Sequence, residues 1–206
     1  NTWSGATNFL SLIRAPHAFE RHGRHVELTW VLQPIVTAMA NMKRFAQCLS
    51  PWTGEEGFTE TYSPAILGVL DFIERLSGIL PTPEGELWFT GLLPKPMNAH
   101  MEPVEHTSYS RTVSGVTFEL RNGRERAEIY RDGRLLCDFP AGVRVVTGRD
   151  GALKALVGMT VRPVEGEVRY EGKRYPFRVN SNETLVFEDG GFRSAGGPGV
   201  VMPTYE

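Results

Sequence analysis

The sequence predicts an α+β protein in which a helical part precedes an antiparallel β-sandwich. Two observations support this class. Before about residue 95 the apolar residues recur at helical spacing, and after it short alternating runs are separated by turn pairs such as Asp132-Gly133. The 206 residues, 41% of them hydrophobic, suffice for one medium domain or two small ones. The predicted divisions are a helical part (1–94), a linker (95–107), a sandwich (108–190) and an irregular tail (191–206).

Three helices are predicted in the helical part. The first begins after Asn8, a good N-cap, carries a proline kink at Pro16 and ends at Gly23. The second covers about residues 25–45 and contains its own proline. The third has the clearest ends, because Ser63 followed by proline starts it and a glycine stands just past its last turn.

Apolar residues surround most of the third helix. They are Ile66, Leu67, Val69, Leu70, Phe72, Ile73 and Leu76. One contact face would not cover all of them, so we expect other helices to enclose this one, including helices outside the 206 residues.

The β part shows the alternation of a half-buried sheet. Val116–Leu120 places apolar groups at every second position, Arg121-Asn122-Gly123 is predicted to turn the chain, and residues 127–130 return as a hairpin. Further turn pairs at intervals of 10 to 20 residues indicate seven or eight short antiparallel strands. The proline-rich segment from residue 80 to 103 is predicted to be a connector.

Charge and motif content exclude several classes of function. The formal net charge is −2, which provides no field that would attract nucleic acid or a membrane surface. Cys48 and Cys137 lie far apart, and phosphate-loop, dinucleotide and zinc motifs are missing from the sequence. We therefore predict a soluble, cytoplasmic chain with no cofactor, no metal, and no nucleic-acid or membrane partner.

The loop between the second and third helices is the most informative segment. It combines three carboxylates with two aromatic side chains: Glu55, Glu56, Glu60, Trp52 and Tyr62. Aromatic faces stack on sugar rings, and carboxylates both bind hydroxyl groups and supply acid and base for glycosidic cleavage. The alternative is that the aromatic residues pack the loop down and the carboxylates are merely solvated.

The order of motifs in residues 1–94 resembles a known family. Trp3-Ser4-Gly5-Ala6 leads into a helix, Pro51-Trp52-Thr53-Gly54 follows a long helix, and Tyr62-Ser63-Pro64-Ala65 opens another. This order resembles the closing hairpins of bacterial six-hairpin toroid glycoside hydrolases, the mannosylglycerate-hydrolase-like, trehalase and glucosidase clan. The resemblance implies an (α/α)6 toroid, a β-sandwich after it, and an inverting acid and base mechanism.

The family's base is replaced at the matching position. The residue four before Pro51 is Gln47, and an amide cannot take a proton from water. Glu60 is the preferred substitute, with Glu56 and Glu27 behind it. The resemblance also implies substrate contacts from Trp3, Gln47, Trp52 and Tyr62. The catalytic acid would come from an upstream polypeptide of the same enzyme or from a second chain.

Three alternatives remain open. The chain could be a non-catalytic carbohydrate-binding or structural relative, because Gln47 stands where the base is expected. The β part could be a module that binds a partner, with the helices attached to it. A polysaccharide lyase would use Tyr62 with His17 or an arginine.

Overall fold

A computed structural model describes residues 7–57, 63–96 and 100–202. Its helices are α1 (Phe9–Leu12), α2 (Ala15–Arg21), α3 (His25–Ala40) and α4 (Ser63–Ser77). Its first strands are β1 (Thr7–Asn8), β2 (Cys48–Leu49), β3 (Ile79–Pro81), β4 (Glu86–Thr90), β5 (His106–Val113), β6 (Val116–Gly123) and β7 (Arg126–Arg131). The later strands are β8 (Arg134–Pro140), β9 (Val143–Gly148), β10 (Leu153–Gly158), β11 (Val164–Tyr170), β12 (Lys173–Val179), β13 (Thr184–Glu188) and β14 (Gly191–Gly196).

Two six-stranded antiparallel sheets dominate the architecture. The helix-side sheet has the order β14-β13-β10-β9-β4-β3, and the outer sheet has the order β12-β11-β8-β7-β6-β5. Their facing sides share one apolar core, in which Phe89 of the helix-side sheet meets Phe118 of the outer sheet with ring centroids 5.7 Å apart. The alternating pattern of the sequence therefore buries every second residue between the sheets.

The helices form a third layer on the other face of the helix-side sheet. Strand β9 is buried at every position. A strand covered on one face only would expose every second residue, so both faces of β9 are covered. Its Val145 belongs to the core between the sheets, while Val146 faces the opposite way in a separate apolar cluster. The order of layers is therefore helices, helix-side sheet and outer sheet.

Two-residue turns connect many of the strands. Both turn residues have positive φ in Ser114-Gly115, Asp132-Gly133, Glu171-Gly172 and Asp189-Gly190. This is the type I′ geometry that matches the twist of an antiparallel hairpin. The turn predicted at Asp132-Gly133 is confirmed.

The predicted toroid is wrong. In the described part of the chain only α3 and α4 exceed two turns, and the strands of the two antiparallel sheets contain more residues than the helices. The helices pack side by side on a sheet and do not form a ring of hairpins. A helix with a broad apolar face has the same sequence pattern whether a helix or a sheet covers that face.

The described residues do not enclose the third helix. Helix α4 has the predicted bounds. Ala65 and Phe72 are buried against the other helices, whereas Leu67 is 67% exposed and Leu70 is 48% exposed. One side of α4 faces solvent, and the interpretation as a toroid hairpin depended on its enclosure.

Several predicted segment boundaries differ from the structure. The segment predicted to be helical to residue 94 ends with strands β3 and β4, and the predicted tail begins with β14. Pro81 ends β3 at the edge of its sheet, where a missing amide hydrogen is tolerated. The predicted first helix is two helices, because Pro16 lies in the first turn of α2 and starts it.

The hairpin from Val116 to Tyr130 is confirmed, but its turn is misplaced. Residues 121–123 belong to β6 rather than to the turn. Asn122 is buried and its Nδ2 atom donates to the carbonyl oxygen of Ser77 at 3.0 Å. The asparagine therefore links the outer sheet to the end of α4.

Candidate functional site

The loop that the sequence singles out is an ordered hairpin. Strand β2 pairs with β1, and Leu49 forms a bridge with Glu56. The Gly57 amide donates to the Cys48 carbonyl oxygen at 2.8 Å, and the Ser50 amide donates to the Glu55 carbonyl oxygen at 2.9 Å. We call residues 48–57 the tryptophan hairpin.

Trp52 stands at the tip of this hairpin. Its side chain is 91% exposed. The Ser50 hydroxyl oxygen accepts hydrogen bonds from the amides of Trp52 at 3.3 Å and Thr53 at 3.2 Å, and Gly54 takes the positive φ that closes the turn. A fixed backbone thus presents a large aromatic ring to solvent.

Two carboxylates line a cavity of about 450 Å³ beside the tip. The Glu55 carboxylate accepts a bond from the Thr53 hydroxyl at 3.1 Å, and the Glu56 carboxylate pairs with the Arg44 Nε at 3.8 Å. The other walls are Ala38, Asn41, Met42, Lys43 and Gly54. The cavity therefore offers both hydrogen-bond acceptors and donors to a polar ligand.

The remaining predicted site residues are not gathered at this cavity. Trp3, Glu60 and Tyr62 lie outside the described residues. Gln47 is half-buried and accepts a bond from the Phe9 amide through its backbone carbonyl at 3.2 Å. Neither Gln47 nor Trp52 lines the cavity, and among the described residues Glu56 is the predicted catalytic residue that does.

Glu27, the third choice for a base, has a structural role. Its buried carboxylate accepts bonds from Asn182 Nδ2 at 2.8 Å, from Arg24 at 2.9 Å and from the Val201 amide at 3.3 Å. Burial acts to raise the pKa of Glu27, but these hydrogen bonds hold it below its ordinary value. Its carboxylate is buried and bonded to these donors, which suits a structural role better than that of a base.

A second cavity, of about 550 Å³, lies between α3 and the loops at one end of the sandwich. We call it the α3 cleft. Its helix wall is Val26, Thr29, Trp30 and Gln33, and its other walls are residues 91–93, Lys95, Gly123, Arg124, Ala141, Gly142 and 159–164. Sequence reasoning missed this cleft, because its residues come from five separate segments and no local motif joins them.

A buried charge cluster joins the helices to the helix-side sheet. Arg144 of β9 is 1% exposed, donates to the Thr90 hydroxyl at 2.9 Å and to the Arg75 carbonyl oxygen at 3.0 Å, and lies over the Trp88 ring at 4.5 Å. Glu20 of α2 forms ion pairs with both Arg75 and Arg144. The cluster is closed to solvent and holds the two layers together.

Burial changes the titration of this cluster. It lowers the pKa of Arg144 to about 10, against the attraction of Glu20. Burial and then the Arg144 charge lower the pKa of His25 to about 3, so His25 is neutral at neutral pH. Neither group has the access to solvent that a proton-transfer catalyst requires.

Both cysteines lie within the described residues. Cys48 and Cys137 are free and buried, and burial raises the pKa of the Cys137 thiol, which makes it unreactive. Among residues 7–57, 63–96 and 100–202, no three His, Cys, Asp or Glu side chains form a group that could hold a metal ion. None of the helices in these ranges has both the length and the apolar character needed to cross a membrane.

Comparison with family models, curated proteins and solved structures found no match to this chain.

Proposed function

We propose that this chain binds carbohydrate at the tryptophan hairpin and does not itself cleave it. The observation that carries the proposal is the 91% exposed side chain of Trp52 on a hydrogen-bonded turn. An indole ring at an ordered tip loses little conformational freedom when a flat apolar sugar face stacks on it. Tryptophan side chains are highly buried on average, so one this exposed is unusual.

The cavity beside the tip supports the same ligand class. Glu55 and Glu56 accept hydrogen bonds, while Asn41 and Lys43 donate them. Sugar hydroxyls act as both donors and acceptors, so a mixed set of partners suits them. A neutral oligosaccharide could stack one ring on Trp52 and place the next toward this cavity.

Hydrolysis is a second candidate, favoured by the two carboxylates on one cavity. Glu56 would act as the base, held by Arg44 at 3.8 Å, and the acid would come from an upstream polypeptide or a second chain. The predicted base Glu60 lies outside the described residues. The cytoplasmic location stays a prediction as well.

The test measures binding of neutral disaccharides of glucose and mannose, with α and β linkages, by titration calorimetry. Trp52→Ala should weaken binding by about tenfold or more, because the stacking surface is lost. Leu67→Ala is the matched control, since it removes another exposed apolar side chain, on α4, and should leave binding unchanged. Equal affinities for the two variants, or no binding of any disaccharide, would contradict the proposal.

The same panel separates binding from cleavage. Released monosaccharide is measured with the complete protein and with Glu56→Gln. Binding without release supports the proposal. Release that disappears in Glu56→Gln while binding remains would favour hydrolysis instead.

A further inference from the structure

The α3 cleft carries an unbalanced positive charge. Lys95, Arg124 and Arg162 line it, and no aspartate or glutamate is among the described residues that do so. Lys95 and Arg162 form no ion pair within the described ranges. Arg124 pairs with Glu105 at 2.9 Å, but both side chains are more than half exposed, so a ligand can replace this contact at small cost.

The same cleft offers an aromatic wall and an unused amide. Trp30 and Gln33 lie about one turn apart on the same face of α3. Trp30 is half-buried, and Gln33 is 7% exposed. The Gln33 side chain makes no hydrogen bond to another described residue. Its polar atoms remain accessible from the cleft, so a ligand can bond to them in place of water.

The loop that carries Arg162 is fixed in place. The Thr160 hydroxyl donates to the Arg162 carbonyl oxygen at 2.8 Å, and the Ser181 hydroxyl donates to the Val161 carbonyl oxygen at 2.6 Å. Pro163 follows directly. The backbone under Arg162 is therefore ordered before any ligand arrives, which reduces the entropy lost on binding.

The hollow continues along α3 beyond the cleft. Two further cavities, of about 360 and 450 Å³, also include Gln33 and Lys95 in their walls. A ligand longer than one ring could follow the smaller of these cavities, whose described walls hold no carboxylate, whereas the larger one includes Glu102. A volume of several hundred Å³ with mixed apolar and polar walls is typical of small-molecule sites.

From these features we infer that the α3 cleft binds an acidic saccharide, with its carboxylates on Lys95 and Arg162 and a ring face on Trp30. Guanidinium and ammonium groups recognise carboxylates, and Gln33 can bond a hydroxyl or ring oxygen. This site is separate from the tryptophan hairpin and does not depend on the function proposed for it.

The test uses a trimer of galacturonic acid and the corresponding neutral trimer of galactose as probes. Binding to the full chain is followed by titration calorimetry and by amide chemical shifts. We expect the acidic trimer to bind at least tenfold more tightly, with its affinity falling as salt increases. The shifts should move at residues 91–95 and 159–164.

Paired variants assign the charges. Lys95→Gln and Arg162→Gln should each reduce the affinity for the acidic trimer by about tenfold, because each loses a charged hydrogen bond to the ligand. Arg134→Gln removes an exposed arginine that does not line the cleft, so it should leave the affinity for the acidic trimer unchanged. Trp52→Ala should also leave this affinity intact, which separates the inference from the proposed function.

Three results would overturn the inference. They are equal affinity for the acidic and neutral trimers, an equal loss with Arg134→Gln, and shifts confined to residues 48–57. Each would show that the cations of the α3 cleft do not select the ligand.

Discussion

Arg144 shows how one residue can fix the position of two layers. Its Nε donates to Thr90 in the neighbouring strand β4, and an Nη donates to the Arg75 carbonyl oxygen at the end of α4. A buried guanidinium requires such partners, because leaving its charge unpaired in the interior costs several kcal/mol. The Glu20 carboxylate of α2 supplies the opposite charge. The helices thus dock on the sheet at a defined place.

The position of His25 beside this cluster has a consequence for stability. The folded protein keeps His25 neutral down to about pH 3, whereas the unfolded chain protonates it near its ordinary pKa of 6.5. Between these values the unfolded state binds more protons, so stability increases with pH. The contribution of the neutral His25 to the free energy of unfolding is fully present above about pH 6.5 and is lost as the pH falls toward 3.

We predict that His25→Gln makes stability less dependent on pH. In the wild type, acidification from pH 6.5 to 5 should remove about 2 kcal/mol through this histidine, since one pKa unit corresponds to about 1.4 kcal/mol. The free energy of unfolding in urea is measured at both pH values. His22→Gln changes an exposed histidine and should keep the wild-type dependence. Identical pH dependence in wild type and His25→Gln would contradict the assignment.

Single residues of the candidate site could be predicted only where they lie close together in sequence. Trp52 and Glu56 belong to one short loop rich in glycine and carboxylates, so their grouping is visible in the sequence. Trp30 and Arg162 line one cleft only because α3 lies against the loops at the end of the sandwich. That arrangement depends on how the layers pack, which no local pattern encodes.

At the scale of elements, Asn182 connects a β turn to a helix. Its φ is +62°, a left-handed conformation that asparagine tolerates well. Its side-chain oxygen accepts from the Val26 amide at 2.8 Å, and its Nδ2 donates to Glu27 at 2.8 Å. The turn before β13 therefore caps the first turn of α3, which has no side-chain cap from its own N-cap residue.

We predict that Asn182→Asp destabilises the protein by about 3 kcal/mol, because it removes the donor and places a second carboxylate against Glu27 in a buried site. Asn180→Asp is the matched control. Asn180 also donates from Nδ2 to a carboxylate, that of Glu183 at 2.7 Å, but the contact is exposed, so a loss below about 1 kcal/mol is expected. The urea midpoints of the two variants measure this difference. Equal losses of stability would contradict the role of Asn182 in capping α3 and bonding Glu27.

Helices and turns could be predicted where capping or turn residues stand at their ends. The Ser-Pro start and the glycine after Ser77 fix α4, and the Asp-Gly pair fixes the β7–β8 turn. Strands β3 and β4 were missed because Pro81 and Pro83 resemble a connector. In the fold, Pro81 ends an edge strand and Pro83 lies in the turn that Gly85 closes by donating to the Thr82 carbonyl oxygen at 3.1 Å.

At the scale of the molecule, the apolar face of each helix could be read from the sequence but the surface that covers it could not. Phe72 is buried, as its position on α4 requires, yet α4 packs against strands β3 and β4 as well as helices. The interpretation as toroid hairpins assumed that other helices cover this apolar face. Long-range pairing of β4 with β9, more than fifty residues away, decides the arrangement.

From this pairing we expect the helices and the sandwich to unfold as one cooperative unit. Strand β4 lies between β3 and β9, so a chain of residues 104–206 alone would lose both strands. It would expose the hydrogen-bonding edge of β9 and its helix-facing side, including Arg144 and Val146. The alternative of a β module with attached helices predicts the reverse, that this part folds by itself.

We predict that the full chain unfolds in urea in a single transition, with the same midpoint by far-ultraviolet circular dichroism and by tryptophan fluorescence. Residues 104–206 alone should show no cooperative transition, since one face and one edge of their sheet have lost their partners. Dichroism and amide spectra of that shorter chain provide the measurement. A sharp transition at a midpoint near that of the full chain would instead establish the sandwich as an independent domain and leave the helices as an appendage.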